Sequence, residues 1–276
     1  MPTPPESDRF LIVTADDFGL HQAVNEAVEQ ASQHGILTAA SLMVGAPAAA
    51  DAIRRARALP RLRVGLHLVL VDGARYVLSP EARRQLEAEI RAQFRAFAAT
   101  GLTLDHVNAH KHFHLHPTLL TLMLRVGREF GMRAVRYPYE PARLLTSPSL
   151  SEHAAAAALH PWLLLMRRRL RRAGMIHNDQ LFGIAHSGAI DEATLIHALR
   201  ALPAGVTEIY LHPAKVSGAA IAPSMSAYRH ADELAALVSP RVRALLQRLA
   251  TPSGGYGDCK NHRTASSIAC CAGRQR

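Results

Sequence analysis

Residues Asp105 to Pro117 read Asp-His-Val-Asn-Ala-His-Lys-His-Phe-His-Leu-His-Pro, and five of the chain's 16 histidines fall within them. Four of these, His110, His112, His114 and His116, are spaced two apart. Imidazole is the commonest protein ligand for transition metals and the only side chain whose ordinary pKa lies near neutrality, so this density points to a metal site. Spacing limits how many of the four can share one ion. On a strand they face the same way but lie roughly 6.5 to 7 Å apart, too far to converge. On a helix only pairs four apart meet. One or two of the set therefore bind, and the others line the cleft or pack. The competing reading is a His-rich surface tract with adventitious metal affinity.

Other reactive residues stand where apolar runs stop. Phe10-Leu-Ile-Val-Thr-Ala15 is a strand-forming run that ends at Asp16-Asp17-Phe18-Gly19. A turn or helix cap would explain one aspartate. Two at a buried strand end read as chemistry, because α/β enzymes place their sites at that edge of the sheet. Val64 to Leu70 is a strand pattern with His67 in its middle, a residue that alone would read as a satisfied core histidine. Ala134 to Tyr137 carries Arg136 to a strand end, and Val206 to Leu211 leads to His212-Pro213. Two histidines plus one carboxylate make a common divalent site with open positions, and a second carboxylate is then free to move protons.

These residues need elements to carry them. Apolar spacing predicts helices over His21–His34, 51–58, Pro80–Ala99 and Pro117–Gly131, another from Asp191, and a last one over Asp232–Leu249 broken at Pro240. Strands are expected over Ile36–Val44, Leu102–Ala109 and Leu181–Ala185. Strands alternating with helices predict one large α/β domain, residues 8–250, built as a distorted TIM-like barrel. In such a barrel, strand ends distant in sequence converge on one face. Residues 141–174 interrupt the rhythm and read as an insertion or lid. Within them Trp162-Leu-Leu-Leu-Met166 precedes Arg167, Arg168, Arg169, Arg171 and Arg172. That segment reads either as a peripheral membrane contact or as a surface helix with a solvated arginine face.

Composition sets the outer bounds. The 276 residues are 49% hydrophobic, enough for a full core, and no apolar run reaches the 18 or so residues of a membrane span. The start, Met1 to Arg9, lacks a signal-peptide layout, so a cytoplasmic protein is expected, with a peripheral place at the inner face of the membrane as a variant. All three cysteines, Cys259, Cys270 and Cys271, lie in the last 18 residues, away from the histidines, so neither disulfides nor thiolate ligation is indicated. Residues 251–276 lack periodicity and are expected to form a disordered basic tail. The net charge of +10 invites a nucleic-acid reading. The excess sits in the arginine block and the tail, aromatics are only 5%, and no aromatic-interleaved basic motif occurs, so no nucleic-acid partner is expected.

Taken together, Ala-Asp16-Asp17-Phe-Gly, Gly65-Leu-His67-Leu, Asn108-Ala-His110-Lys-His112-Phe-His114-Leu-His116-Pro and Leu211-His212-Pro213 resemble the YdjC-like carbohydrate deacetylases. The resemblance runs from about Phe10 to His212. It implies one divalent metal ion, magnesium or zinc, held by Asp17, His67 and His110, with Asp16 as base and His212 as acid. It also implies Arg136 as partner of Asp16 or of substrate, and it leaves His112, His114 and Tyr137 as candidate substrate contacts. Many relatives have aspartate where this chain has Asn108. The implied reaction is hydrolysis of the acetamide of an N-acetylglucosamine-type sugar. The extended His-Lys-His-Phe-His-Leu-His-Pro form also resembles the hopanoid-biosynthesis branch, which implies a glycolipid substrate. Soluble chitooligosaccharides are the alternative, and a homodimer is left open. Two rivals lie outside this reading. Glycoside hydrolysis by Asp16 and Asp17 leaves the histidines idle, and adjacent carboxylates rarely span a sugar. A basic nucleic-acid binder with a structural metal predicts binding that falls steeply with salt.

Overall fold

The structure, a computed structural model, describes residues 8–70, 79–145, 150–215 and 221–259. Its axis is strand β1 (Arg9–Phe18), in which every residue from Phe10 onward is buried. A parallel sheet is covered on both faces, which is why this strand reads as a nearly unbroken apolar run. Strand β6 (Gly205–Leu211) pairs along one side of it and β2 (Ala39–Leu42) along the other. Strands β3 (Arg63–Leu68), β4 (Val107–Ala109) and β5 (Gln180–Phe182) complete the order β4-β3-β2-β1-β6-β5, all parallel.

The sheet curls until its edges approach. Isolated parallel bridges join Val107 to Val135 and Ala134 to Ile176, and the Leu181 amide donates to the Tyr139 carbonyl at 2.7 Å. Irregular backbone thus closes the gap between β4 and β5, giving the predicted distorted barrel. Several staves are shorter than expected, and β4 keeps only three residues of the run from Leu102.

Between strands run α1 (Gln22–His34), α2 (Ala49–Arg57), α3 (Pro80–Ala99), α4 (Pro117–Glu129), α5 (Leu150–Arg172) and α6 (Glu192–Arg200), followed by α7 (His230–Val238) and α8 (Pro240–Leu249). Local chemistry sets their starts. Ser79 accepts from the Ala82 amide ahead of Pro80, and Asp191 accepts from the Thr194 amide. The last pattern divides at Pro240, which lacks an amide proton to continue α7, and the Ser239 hydroxyl accepts from Arg241 and Val242 to begin α8.

The stretch that interrupts the rhythm in sequence is mostly one helix, α5, with Pro161 inside it. In the chain it runs between the bridged residues Val135 and Ile176. Leu163, Met166 and Leu170 point into the core, whereas Leu164 and Leu165 are 44% and 47% exposed. The arginine block divides as well. Arg167 pairs with Asp179 at 2.6 Å and Arg169 donates to Thr121 Oγ1 at 2.6 Å, while Arg168, Arg171 and Arg172 are exposed.

Thr251–Cys259, the first nine residues of the stretch read from sequence as a disordered tail, are anchored to the barrel. Ser253 bridges Leu11 in parallel, and Tyr256 and Cys259 are fully buried at the end of the barrel where the strands begin. Composition misled here because the anchors are single contacts to distant strands and carry no periodicity. The rest of the tail, with Cys270 and Cys271, lies outside the described residues.

Candidate metal centre and active site

The geometry begins with the end of β1. Its pairing with β2 shifts register between Ala15 and Phe18, and Asp17 adopts a left-handed backbone at φ 60. Asparagine and aspartate tolerate that conformation better than other residues, although it still carries some strain. Asp16 and Asp17 are both buried, and Asp16 lines a cavity of about 220 Å³. His67 and His212 reach the same cavity from the ends of β3 and β6.

The histidine tract is neither strand nor regular helix. After β4 it turns through His110–Leu115, with Lys111 at φ 51 and His112 at φ 55. Two successive left-handed residues turn alternate rings away from a common face, so the four histidines separate. His110 meets Asp17. His112 lines the cavity and shares a hydrogen bond of 3.2 Å with the Tyr210 hydroxyl. His114 is buried behind the wall, where its Nε2 donates to the Arg136 carbonyl at 3.0 Å. His116 accepts from the Thr118 amide and caps α4.

Three donors converge. Asp17 Oδ1 lies 3.3 Å from His67 Nε2 and 3.3 Å from His110 Nδ1, and the two ring nitrogens are 3.4 Å apart. Ligands about 2.0 to 2.1 Å from one tetrahedral centre stand about 3.4 Å from each other, so the spacing fits a single ion. The two Asp17 oxygens are buried without a hydrogen-bond partner among the described residues, a costly state unless a cation completes them. His67 is oriented for the purpose. Its Nδ1 donates to Asn108 Oδ1 at 2.7 Å, leaving the Nε2 lone pair facing Asp17 and His110. His110, His67 and Asp17 are thus a set of residues that fits a divalent ion.

Asn108 serves two masters. Its Nδ2 donates to Asp16 Oδ1 and to Ser41 Oγ, each at 3.1 Å. An aspartate here would have no proton for Asp16 and would place a second carboxylate against it, so the amide keeps this pair of acids from becoming three. The chain continues from Ser41 Oγ to His106 Nε2 at 3.0 Å and from His106 Nδ1 to Asp105 Oδ2 at 3.0 Å. Gly65 makes room for it: a Cβ there would stand 2.5 Å from the His106 ring.

Asp16 is clamped by Arg136, whose NH1 donates to Oδ2 at 2.5 Å and whose NH2 donates to Oδ1 at 2.9 Å. Arg136 is fully buried, does not line this cavity and spends its guanidinium on Asp16 and Glu208. Tyr137 likewise faces away from the cavity and packs beside His177 and Tyr139. Of the four candidate substrate contacts, His112 lines this cavity, and His114, Arg136 and Tyr137 do not. Along β6, alternate side chains point to opposite faces, and β6 sends Glu208 inward to hold Arg136 from its other side.

Charge in this dry site follows from those contacts. Burial pushes the Asp16 carboxyl up, but the Arg136 guanidinium outweighs it and holds Asp16 well below the usual carboxylate range. Burial opposes ionisation of Asp17 too, and the facing His110 and His67 rings hold it down in the same way. Burial lowers His212 below an ordinary histidine and brings His114 to about 4. Glu233 on α7 accepts from the His212 amide at 2.5 Å and the Ile190 amide at 3.1 Å, and burial pushes its carboxyl up to about 8. Sequence reading missed Glu208, Glu233, Ser41, His106 and Tyr210. The available signal was a charged residue, Glu208, inside an otherwise apolar strand.

Fold and site together define a class: a curled parallel α/β barrel with an ion-ready aspartate and two histidines at the C-terminal ends of its strands. Comparison narrows the class. The family model of YdjC-like proteins matches residues 10–248, and the chain belongs to that family. A carbohydrate deacetylase of Brevibacillus brevis is 34% identical over 170 residues, spanning 52% of this chain and 68% of that one. One from Geobacillus stearothermophilus is 35% identical over 153 residues, 49% of this chain and 60% of that one. One from Thermoanaerobacter pseudethanolicus is 23% identical over 231 residues, 75% of this chain and 82% of that one. The crystal structure of an Enterococcus faecalis V583 protein assigned to cellobiose-phosphate cleavage superposes with a TM-score of 0.68 at 21% identity, covering 91% of this chain and 98% of that one. That likeness concerns the fold.

Proposed function

We propose that this chain is a carbohydrate N-deacetylase that hydrolyses the acetamide of an N-acetylglucosamine-type sugar with the help of one divalent ion. The observation that carries the reading is the Asp17 carboxylate, buried without hydrogen bonds from the described residues and flanked at 3.3 Å by the rings of His67 and His110. Two imidazoles with one carboxylate favour zinc over magnesium, which prefers oxygen donors. A bound ion supplies a water of lowered pKa and draws charge from the carbonyl oxygen.

The chain's own residues do the rest. Arg136 keeps Asp16 ionised and aimed at the cavity, ready to take the proton of the attacking water at a carboxylate oxygen. His212 stands across the site, its Nε2 3.9 Å from Asp17 Oδ2. From that position the ring can give a proton to the departing nitrogen. His112 and Tyr210, on the cavity wall, offer polar contacts to the sugar.

The test is acetate release. Purified chain carrying zinc should release acetate from N-acetylglucosaminides, lose the activity on chelation and regain it on adding a divalent ion, as followed by mass spectrometry. Activity indifferent to exhaustive chelation would sink the metal-dependent reading.

A glycolipid substrate extends the same proposal. A groove of about 480 Å³ lined by Phe113, Leu115, Pro117, Leu159 and Trp162 shares Lys111 and His112 with the catalytic cavity. An apolar aglycone fits there while the sugar reaches the ion, with the exposed Leu164 and Leu165 one turn further along α5. Among the described residues no helix is long and apolar enough to cross a membrane, so the contact would be peripheral, at an inner membrane face. Each basic residue near an anionic surface contributes about 1 kcal/mol. Replacing Arg168, Arg171 and Arg172 together by glutamine should then weaken binding to anionic vesicles roughly a hundredfold while sparing turnover of a soluble acetylglucosaminide. Unchanged vesicle binding would leave soluble oligosaccharides as the substrate class.

A further inference from the structure

Beneath the site, the barrel interior is polar where such cores are usually aliphatic. Glu208 Oε2 accepts from Arg136 Nε at 3.0 Å and from the Tyr256 hydroxyl at 2.6 Å. Its Oε1 accepts from Arg136 NH2 at 2.8 Å and from the Thr14 hydroxyl at 2.7 Å. Glu208, Arg136 and Tyr256 are each completely buried. Two acids share one guanidinium, so the excess negative charge needs other donors, and Tyr256 is one of them.

Tyr256 does not come from the barrel's strands. It sits on the Thr251–Cys259 segment, beyond residue 248 where the family match ends. The segment is pinned at four places. The Leu11 amide donates to the Pro252 carbonyl at 2.9 Å, and the Gly254 amide donates to the Leu11 carbonyl at 3.1 Å. Asp105 accepts from the Tyr256 and Gly257 amides at 3.0 and 2.9 Å, and Asp258 pairs with Arg63 at 2.9 Å. Asp105 is also the foot of the chain through His106, Ser41 and Asn108 to His67. Both hydrogen-bonded columns that orient the site, one ending on Asp16 and one on His67, therefore rest on this segment.

We propose that the C-terminal segment is a working part of the catalytic unit, with Tyr256 as a positioning residue that fixes Arg136 through Glu208 and so aims Asp16. The inference rests on the deacetylase reading for its kinetic consequence but on packing alone for its structural one. Arg136 needs both carboxyls to stay planar with Asp16. Without the phenol, Glu208 keeps a single donor on Oε2, and the guanidinium is free to turn toward it and away from Asp16.

Tyr256→Phe in the full chain removes one oxygen and keeps the ring against His106, whose centroid lies 5.0 Å away. Hydrogen bonds to charged groups are worth enough that kcat should fall roughly tenfold or more, with KM and metal content unchanged. In the same protein the NMR resonance of the Arg136 Nε proton should move, a readout that needs neither metal nor turnover. If Tyr256→Phe does not fold, Glu208→Gln should show the same loss of kcat and the same displaced resonance. A folded variant with wild-type kcat overturns the proposal and leaves the deacetylase reading standing. So does a fall in kcat matched by a rise in KM and loss of metal, which would mark the segment as mere scaffolding. A wild-type chain that deacetylates nothing, yet whose Arg136 resonance moves in Tyr256→Phe, would instead remove the deacetylase reading and the kinetic claim built on it.

Discussion

Asp17→Asn is expected to leave a folded chain that no longer holds its ion and no longer releases acetate. The reason is the mismatch between this carboxylate's surroundings and its chemistry. Both oxygens are buried, and neither accepts a hydrogen bond from the described residues. An amide can occupy the same left-handed backbone position, but it brings no charge and only one oxygen. Removing a residue that merely orients a metal ligand typically costs 10- to 100-fold in affinity. Removing the sole carboxylate of the set should cost at least about a hundredfold. Elemental analysis of the purified variant beside wild type checks it, with circular dichroism to establish folding. Stoichiometric zinc in Asp17→Asn would show that the ion, if any, sits elsewhere.

Asp16→Asn should behave in the opposite way: metal retained, turnover lost. Asp16 does not belong to the convergent set of donors, and its oxygens are committed to Arg136 and Asn108. Asparagine preserves the shape and can still accept from Arg136, but it cannot take a proton from water. General base catalysis is typically worth about 10² to 10⁴ in rate, so kcat should fall by that factor. Some stability goes as well, because Arg136 remains buried with only Glu208 to balance it; the loss of a buried charge-assisted contact is about 1 to 3 kcal/mol. Acetate release near the wild-type rate would remove Asp16 from the role of base. Read side by side, the two variants separate holding an ion from moving a proton, although the residues are neighbours in the chain.

The contrast between them is partly legible in the sequence. The apolar run from Phe10 stops at two acids, and a buried strand does not end in paired charges without some use for them. His212 announced itself similarly, as a polar residue closing an apolar run, whereas His67 stands in the middle of one. The histidine tract was harder. Strict alternation argued that not all four rings could serve one ion, and the resemblance named His110; the left-handed turns at Lys111 and His112, beside the ring that meets Asp17, are not announced by residue types. His114 and Tyr137 look as available as His112 in the sequence. Both are buried, and neither lines the cavity.

Sequence alone determined the alternating elements, the parallel barrel and the strand-end residues, since each is written in local periodicity and in the places where apolar runs are interrupted. Tertiary structure alone decided which residues stand behind those ends. Glu208 meets Arg136 across 72 residues, and Tyr256 meets Glu208 across 48. Such pairs leave no periodic trace, because a single buried hydrogen bond constrains one residue on each side. The same holds for Thr251–Cys259, which looks structureless in one dimension and is held in three by a handful of anchors to strands that begin far earlier in the chain.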